Sequence, residues 1–170
     1  MQTLDASTDI DASAEQVWRV IIDLAGYAQW NPFIVRAAGE VATGSRLRLT
    51  IKAPGHRAIT FRPRVLQVTP GRSFTWLGRT LLPGLFDGRH TLSVNPLERG
   101  GSRFRTHEEV TGVLLPVLSG VMRDSQRGFE LLAAAVKARA EGGDADDTGG
   151  TADIPDDGDA PPASASDSPA

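Results

Sequence analysis

The sequence predicts one α+β domain in which an antiparallel sheet packs against a long C-terminal helix. The chain has 170 residues, of which 40% are hydrophobic and 23% charged, and this size and composition suit a single globular core. Short alternating runs separated by glycine, proline and polar residues fill positions 34–111, as in antiparallel sheets. Positions 114–140 then carry apolar residues at helical spacing, and strands followed by a helix indicate an α+β order.

The N-terminal part predicts a strand followed by two short helical segments. Positions 3–12 are assigned to the first strand, and Ser13 and Gln16 match a capping box that starts a helix. Gly26 ends or bends this helix before a second short turn. Pro32 then stops helix growth.

The middle of the chain predicts six further strands, which gives seven in total. Alternation is clear where Leu47, Leu49 and Ile51 share one face and basic or polar residues share the other. Pro63 interrupts another alternating run and indicates a bulge or an edge. The apolar stripe of the final helix consists of Leu114, Leu118, Val121, Met122, Phe129, Leu131, Leu132 and Val136.

Composition excludes several classes of site and of protein. The chain contains no cysteine, so it has no disulfide, thiol nucleophile or thiolate metal site. No run of about 18 apolar residues or basic leader is present, and we expect a cytoplasmic protein without a transmembrane segment. The basic residues are spread along the strands without a cluster, which argues against nucleic acid as a partner. No cofactor-binding motif occurs either, so no cofactor is expected, and the oligomeric state is open.

The last thirty residues differ in composition from the rest. Residues 141–170 hold many acidic residues, no basic residue and little aliphatic material. Such a segment cannot offset its ordering entropy by burial, so we predict a folded domain over 1–140 and a disordered acidic tail over 141–170. A tail that folds back to screen the basic domain is the alternative.

Five stretches of the chain carry a resemblance to a known family: Ile10–Trp18, Trp30–Phe33, Trp76–Gly78, Gly88–His90 and Phe104–Gly112. They resemble the bacterial members of the SRPBCC superfamily, which joins START domains, the birch pollen allergen and polyketide cyclase/dehydrase-type proteins. The resemblance covers positions 3 to about 140 and implies the helix-grip fold, with a curved seven-stranded sheet around the C-terminal helix and an apolar cavity between them. Members bind lipids, polyketides and other hydrophobic molecules, and only some are catalysts.

The most informative polar residues are His90 and Glu108, because both lie in phase with apolar residues of their strands. A five-residue hairpin loop that pairs Val94 with Phe104 places His90 opposite Glu108. Opposed Cβ atoms are roughly 4.5–5.5 Å apart, so the imidazole and the carboxylate are expected to hydrogen-bond as a charged or proton-sharing pair.

Three roles are open for this pair: a structural anchor, an orienting contact for a ligand, or an acid–base catalytic pair. A register slip by one residue would instead bring His107 and Glu109 inward. A metal site built from His56, His90 and His107 has no supporting motif, so no metal is expected.

Aromatic, sulfur-containing and polar residues are expected near the cavity, with core packing as the default for each ring. The expected ligand-binding residues are Trp30, Phe33, Phe61, Phe74, Trp76, Phe86, His90, Thr106, Glu108, Leu118, Met122 and Phe129. The apolar segment Leu81–Phe86 lies between strands and suits a lid, a contact surface or a loop packed under the helix.

We therefore expect a binder of a small hydrophobic molecule, such as a lipid or polyketide. The first alternative is a polyketide aromatase/cyclase that uses polar cavity residues, with His90 and Glu108 as the catalytic candidates. The second is a protein-interaction module that uses the segment Leu81–Phe86.

Overall fold

The structure, a computed structural model, describes residues 1–79, 84–117 and 119–142. These residues contain eight strands and three α-helices, with a short 3-10 turn at Leu24–Gly26. In chain order the elements are β1 (Gln2–Ile10), α1 (Ala14–Ile22), α2 (Tyr27–Trp30), β2 (Ile34–Ala38), β3 (Arg48–Ile51), β4 (Ile59–Phe61), β5 (Arg64–Thr69), β6 (Ser73–Arg79), β7 (Asp87–Pro96), β8 (Ser102–Thr111) and α3 (Ser119–Gly142).

The strands form two antiparallel sheets. One has the order β1-β8-β7-β6-β5 and the other the order β2-β3-β4. The α+β helix-grip class is confirmed, but the count of seven strands is wrong, since the described residues contain eight.

The extra strand arises at Pro63, where one predicted strand is divided into β4 and β5. A proline has no N–H to donate to a ladder and bends the chain. The carbonyl of Pro63 still accepts a hydrogen bond from the Leu47 N–H at 2.9 Å, and the Val65 N–H donates to the Ser45 carbonyl at 2.9 Å. The bent strand therefore carries hydrogen bonding from one sheet to the other.

The predicted capping box is present at the start of α1. The Gln16 N–H donates to the Ser13 hydroxyl at 3.2 Å, and the Ser13 N–H donates to the Gln16 side chain at 2.8 Å. After α1, the Asp23 side chain accepts from the Gly26 N–H, which turns the chain into α2. These local contacts place α1 so that Val17 and Ile21 are buried.

Helix α3 begins later than predicted and buries a narrower stripe. Residues 113–117 form a turn, and the helix starts at Ser119 and continues to Gly142. Phe129, Leu132 and Val136 are fully buried, whereas Leu131 is 46% exposed. The assignment of Leu131 to the apolar stripe is wrong, because a helix advances about 100° per residue and turns this position away from the sheet.

Polar side chains of α3 bind the backbone of the edge strand β1 and of the residue that follows it. Gln126 accepts from the Asp5 N–H at 3.1 Å and donates to the Asp5 carbonyl at 2.8 Å. Lys137 donates to the Asp9 carbonyl at 2.7 Å. Helix α3 therefore lies along β1 and provides hydrogen-bond partners for part of this edge.

Three sequence predictions fall wholly or partly outside the described residues. Leu118 lies outside them, as does most of the predicted tail at positions 143–170. Of the segment Leu81–Phe86, only Gly84, Leu85 and Phe86 are described.

Candidate functional site

The hairpin formed by β7 and β8 has the predicted register. Val94 pairs with Phe104, Leu92 with Thr106, and His90 with Glu108. The alternative register with Glu109 inward does not occur, because Glu109 pairs with Arg89 and is exposed. Both polar candidates therefore lie on the sheet face that α3 covers.

His90 does not form the expected pair with Glu108. Its Nε2 atom lies 2.7 Å from the Thr106 hydroxyl oxygen. Its ring stacks between the rings of Trp76 and Phe129, with centroid distances of 4.3 Å and 4.7 Å. Burial, with a smaller effect from His107, lowers the pKa of His90 to about 3. The prediction of a charged or proton-sharing pair with Glu108 is wrong, because Thr106 is the hydrogen-bond partner of His90 and a ring enclosed by two aromatic faces is desolvated.

This histidine belongs to a continuous row of ring contacts that runs from α1 across the sheet to α3. Beyond the stack around His90, Phe74 contacts both Trp18 and Trp76, and Phe129 contacts Phe33 at 5.5 Å between centroids. Edge-to-face and offset contacts of this kind stabilise a core beyond the area they bury. The aromatic row therefore fills much of the space between sheet and helix.

A cavity of about 230 Å³ remains at one end of this space. It lies between the second sheet, the loop at positions 52–58, the ends of β6 and β7, and the first turns of α3. Its lining is mainly apolar, as is typical of sites for small molecules. The lining residues are Leu4, Phe33, Ile51, Ala53, His56, Arg57, Ile59, Phe61, Gly78, Arg79, Phe86, Gly88, Glu108, Val121, Met122 and Ser125.

Glu108 is the carboxyl group of this lining. Burial raises its pKa to about 7, because an apolar surrounding disfavours the charged form. Its surface is only partly buried, because the side chain borders the cavity. Within the described residues, this carboxyl makes no hydrogen bond or ion pair.

Two glycines create the room beside this carboxyl. Gly78 and Gly88 face each other on β6 and β7. A Cβ atom on Gly88 would overlap Oε1 of Glu108, and one on Gly78 would lie 3.1 Å from the Phe61 ring. Side chains at these positions would displace the Glu108 carboxyl or crowd the aromatic wall.

The structure divides the twelve expected ligand-binding residues into groups. Five line the cavity: Phe33, Phe61, Phe86, Glu108 and Met122. Phe74, Trp76, His90 and Phe129 belong to the packed aromatic row, and Thr106 is the hydrogen-bond partner of His90. Trp30 packs against Tyr27 at 4.9 Å, and Leu118 is outside the described residues.

Sequence reasoning missed the part of the lining that comes from loops and glycines. His56 and Arg57 precede the short strand β4, and no local pattern ties their loop to the distant helix α3. The glycines were detectable, since Gly78 continues the inward phase of Phe74 and Trp76, and Gly88 precedes His90 in the same phase. Small residues at inward positions of neighbouring strands indicate space on that face.

The three histidines have separate partners. His56 contacts Asp124 at 2.8 Å, His90 contacts Thr106, and His107 contacts Asp5 at 2.8 Å. No group of three potential metal ligands occurs in the part of the chain that the structure describes.

Two other concavities are larger but more open. One of about 470 Å³ lies between β1 and α3, and one of about 680 Å³ lies over the β2-β3-β4 sheet. Both are bordered by solvent-facing polar side chains and bring no inward-facing carboxyl to an apolar space. The cavity at Glu108 is therefore the stronger candidate site.

Solved structures with the same fold come from several bacteria. A START superfamily protein from Mycobacterium smegmatis is 22% identical, with a TM-score of 0.65 over 82% of this chain and 97% of that chain. The Zhui aromatase/cyclase from a Streptomyces species is 18% identical, with a TM-score of 0.66 over 82% and 93%. Protein SA2116 of unknown function from Staphylococcus aureus is 11% identical, with a TM-score of 0.65 over 85% and 96%. At these identities the likeness establishes the fold.

The sequence also matches a family model, which shows the family as well as the fold. No curated protein matches the sequence. In the described ranges, no helix has both the length and the apolar character needed to cross a bilayer. The model described as polyketide cyclase/dehydrase and lipid transport matches residues 1–141, so the chain belongs to that family.

Proposed function

We propose that this protein binds a compact hydrophobic molecule in the cavity beside Glu108. The observation that carries this proposal is a mainly apolar cavity of about 230 Å³ that borders the close-packed core and opens to solvent at Arg57 and Arg79. An apolar cavity of about 150 Å³ accepts benzene, so this volume suits one or two fused rings or a short chain. The family description, which includes lipid transport, supports the same role.

Filling the cavity from the helix tests this proposal. Val121 lines the cavity from the first turns of α3, whereas Leu131 is exposed on the same helix. We expect Val121→Trp to abolish binding of naphthalene, measured by its fluorescence, and Leu131→Trp to leave binding unchanged. Native mass spectrometry should also reveal any retained small molecule in the wild type that Val121→Trp has lost. Equal naphthalene binding by both variants, or none by the wild type, would contradict the proposal.

The second candidate function is acid–base catalysis on a short polyketide. It is favoured by Glu108, whose pKa of about 7 is matched to proton transfer near neutral pH. A carboxylate in this position would remove a proton from a carbon beside a carbonyl group and return it after rearrangement. The resemblance of fold to an aromatase/cyclase is compatible with this role.

Deuterium exchange distinguishes the two functions. A catalyst should accelerate exchange at the acidic carbon of β-tetralone in deuterated water, as followed by NMR. We expect Glu108→Gln to lose this acceleration while naphthalene still binds, and Glu109→Gln, on the exposed outer face, to retain it. Exchange at the uncatalysed rate with the wild type would leave binding as the function.

A further inference from the structure

The chemistry of the cavity interior narrows the class of molecule that it can bind. Glu108 extends from β8, where it is opposite Leu4 on one side and His90 on the other. Its carboxyl group lies directly against Gly88. The neighbours of the carboxyl on β1 and β7 are therefore the aliphatic side chain of Leu4, the backbone of Gly88 and the neutral imidazole of His90. None of them forms a hydrogen bond or an ion pair with the carboxyl.

The other titratable groups around the cavity do not neutralise this carboxyl. They are His56 and Arg57 from the loop at 52–58 and Arg79 from β6, and α3 contributes Ser125 without charge. His56 is held by Asp124 at 2.8 Å, while Arg79 is directed toward Asp87 at 3.7 Å.

The positions of the arginine side chains also affect which molecules can enter the cavity. Arg57 is exposed and the Arg79 side chain is 55% exposed, so both mark the solvent side of the cavity. Cationic groups at the mouth disfavour the passage of an amine. Burial without a counter-charge favours the protonated carboxyl, as the raised pKa of Glu108 indicates.

A protonated carboxyl in an apolar cavity is a hydrogen-bond donor without an acceptor. Leaving it unpaired against a pure hydrocarbon costs the desolvation free energy of the O–H group. A carbonyl oxygen accepts one hydrogen bond without bringing a charge or an additional donor into the cavity.

We propose that the cavity selects compact apolar molecules that carry a carbonyl oxygen, to which the Glu108 carboxyl donates a hydrogen bond. This inference rests on the proposed binding function and adds the chemical class of the ligand. It also assigns Glu108 as the specificity-determining residue, since it is the lining side chain that changes between donor and anion near neutral pH.

Two probes that differ by one oxygen test this inference. α-Tetralone and tetralin share a bicyclic skeleton, and only the tetralone has a carbonyl. Dissociation constants are measured by calorimetry at pH 5 and pH 9 for the wild type and for Glu108→Met, which keeps the side-chain length without a donor. Relative to Glu108→Met, the wild type should prefer tetralone about 3- to 10-fold at pH 5, and this preference should vanish at pH 9.

Two further variants separate the hydrogen bond from other effects of pH. The amide of Glu108→Gln donates at every pH, so its preference for tetralone should be the same at pH 5 and pH 9. Glu109→Gln, on the outer face, should behave as the wild type. If Glu108→Met does not fold, the comparison of wild type with Glu108→Gln still decides, because only the wild type should depend on pH.

The outcomes distinguish this inference from the proposed function. If neither tetralin nor α-tetralone binds to the wild type, the binding function itself is contradicted. If both bind with a ratio that is independent of pH and equal in wild type, Glu108→Met and Glu108→Gln, the selection of a carbonyl is contradicted while hydrophobic binding stands.

Discussion

At the scale of residues, burial acts on His90 and Glu108 in opposite directions: near neutral pH it leaves His90 uncharged and Glu108 about half protonated. The pKa of His90 falls to about 3 and that of Glu108 rises to about 7, in both cases mainly through desolvation. An ion pair between them would have to offset the desolvation of two charges. Because Thr106 already satisfies the imidazole, Glu108 remains available to the cavity.

The raised pKa of Glu108 predicts a pH dependence of stability. The folded state holds the Glu108 proton more tightly than the unfolded chain, whose pKa is near 4.5. The contribution of protonated Glu108 to the stability of the folded state is therefore complete below about pH 4.5 and is lost as the pH rises through about 7. Glu108→Gln does not titrate, so the variant should gain free energy of unfolding relative to the wild type between pH 5 and pH 9.

Urea denaturation at both pH values measures this difference. The contribution of His90 is common to both proteins and cancels in the comparison. Glu109→Gln, on the exposed face, should differ from the wild type by the same free energy at both pH values. Parallel pH profiles for wild type and Glu108→Gln would contradict the assignment of Glu108 as a buried acid.

The cross-strand pairing of His90 with Glu108 was predictable from the sequence, but the hydrogen-bond partner of the His90 side chain was not. Loop length and alternation are local, and they were sufficient to place His90 opposite Glu108. The direction of the imidazole depends on Phe129, which approaches from a helix far along the chain. No local pattern specifies that the ring is enclosed on both faces and therefore neutral.

At the scale of elements, the Phe33 ring packs closely against the backbone of α3 at Gly128. A Cβ atom there would overlap the Phe33 ring, and the same ring contacts Phe129. A glycine inside a helix costs about 1 kcal/mol relative to alanine. The packing of Phe33 against the helix backbone explains why a small residue occupies this position.

We predict that Gly128→Ala destabilises the protein by about 1–3 kcal/mol, because overpacking exceeds the gain in helix propensity. Gly120 on the same helix is the matched control, since the nearest atom to its Cβ position is Arg123 Nη2 at 4.0 Å. Gly120→Ala should be neutral or stabilising by up to about 1 kcal/mol. Thermal unfolding of both variants measures the difference, and equal melting temperatures would contradict the packing argument.

At the scale of the whole molecule, the class and the order of elements followed from hydrophobic periodicity, whereas the division of the sheet did not. Pro63 was recognised as a disturbance, but whether it makes a bulge or separates two sheets depends on hydrogen bonds to positions 44–47. The extent of the cavity could not be predicted from local sequence patterns either, because its lining comes from elements far apart in the chain. The aromatic row occupies part of the space that the resemblance implied for a ligand, and the cavity lies at the end near Gly78 and Gly88.

The binding of α3 side chains to β1 has a consequence for the behaviour of this protein at high concentration. An edge strand with free N–H and carbonyl groups is a template on which another chain can pair, and this is a common route to aggregation. Here Gln126 occupies both backbone groups of Asp5, Lys137 occupies the carbonyl of Asp9, and Glu141 accepts from the Asp11 N–H at 2.8 Å. The helix that lines the cavity at Glu108 thus also hinders the pairing of another chain with β1 at Asp5 and Asp9.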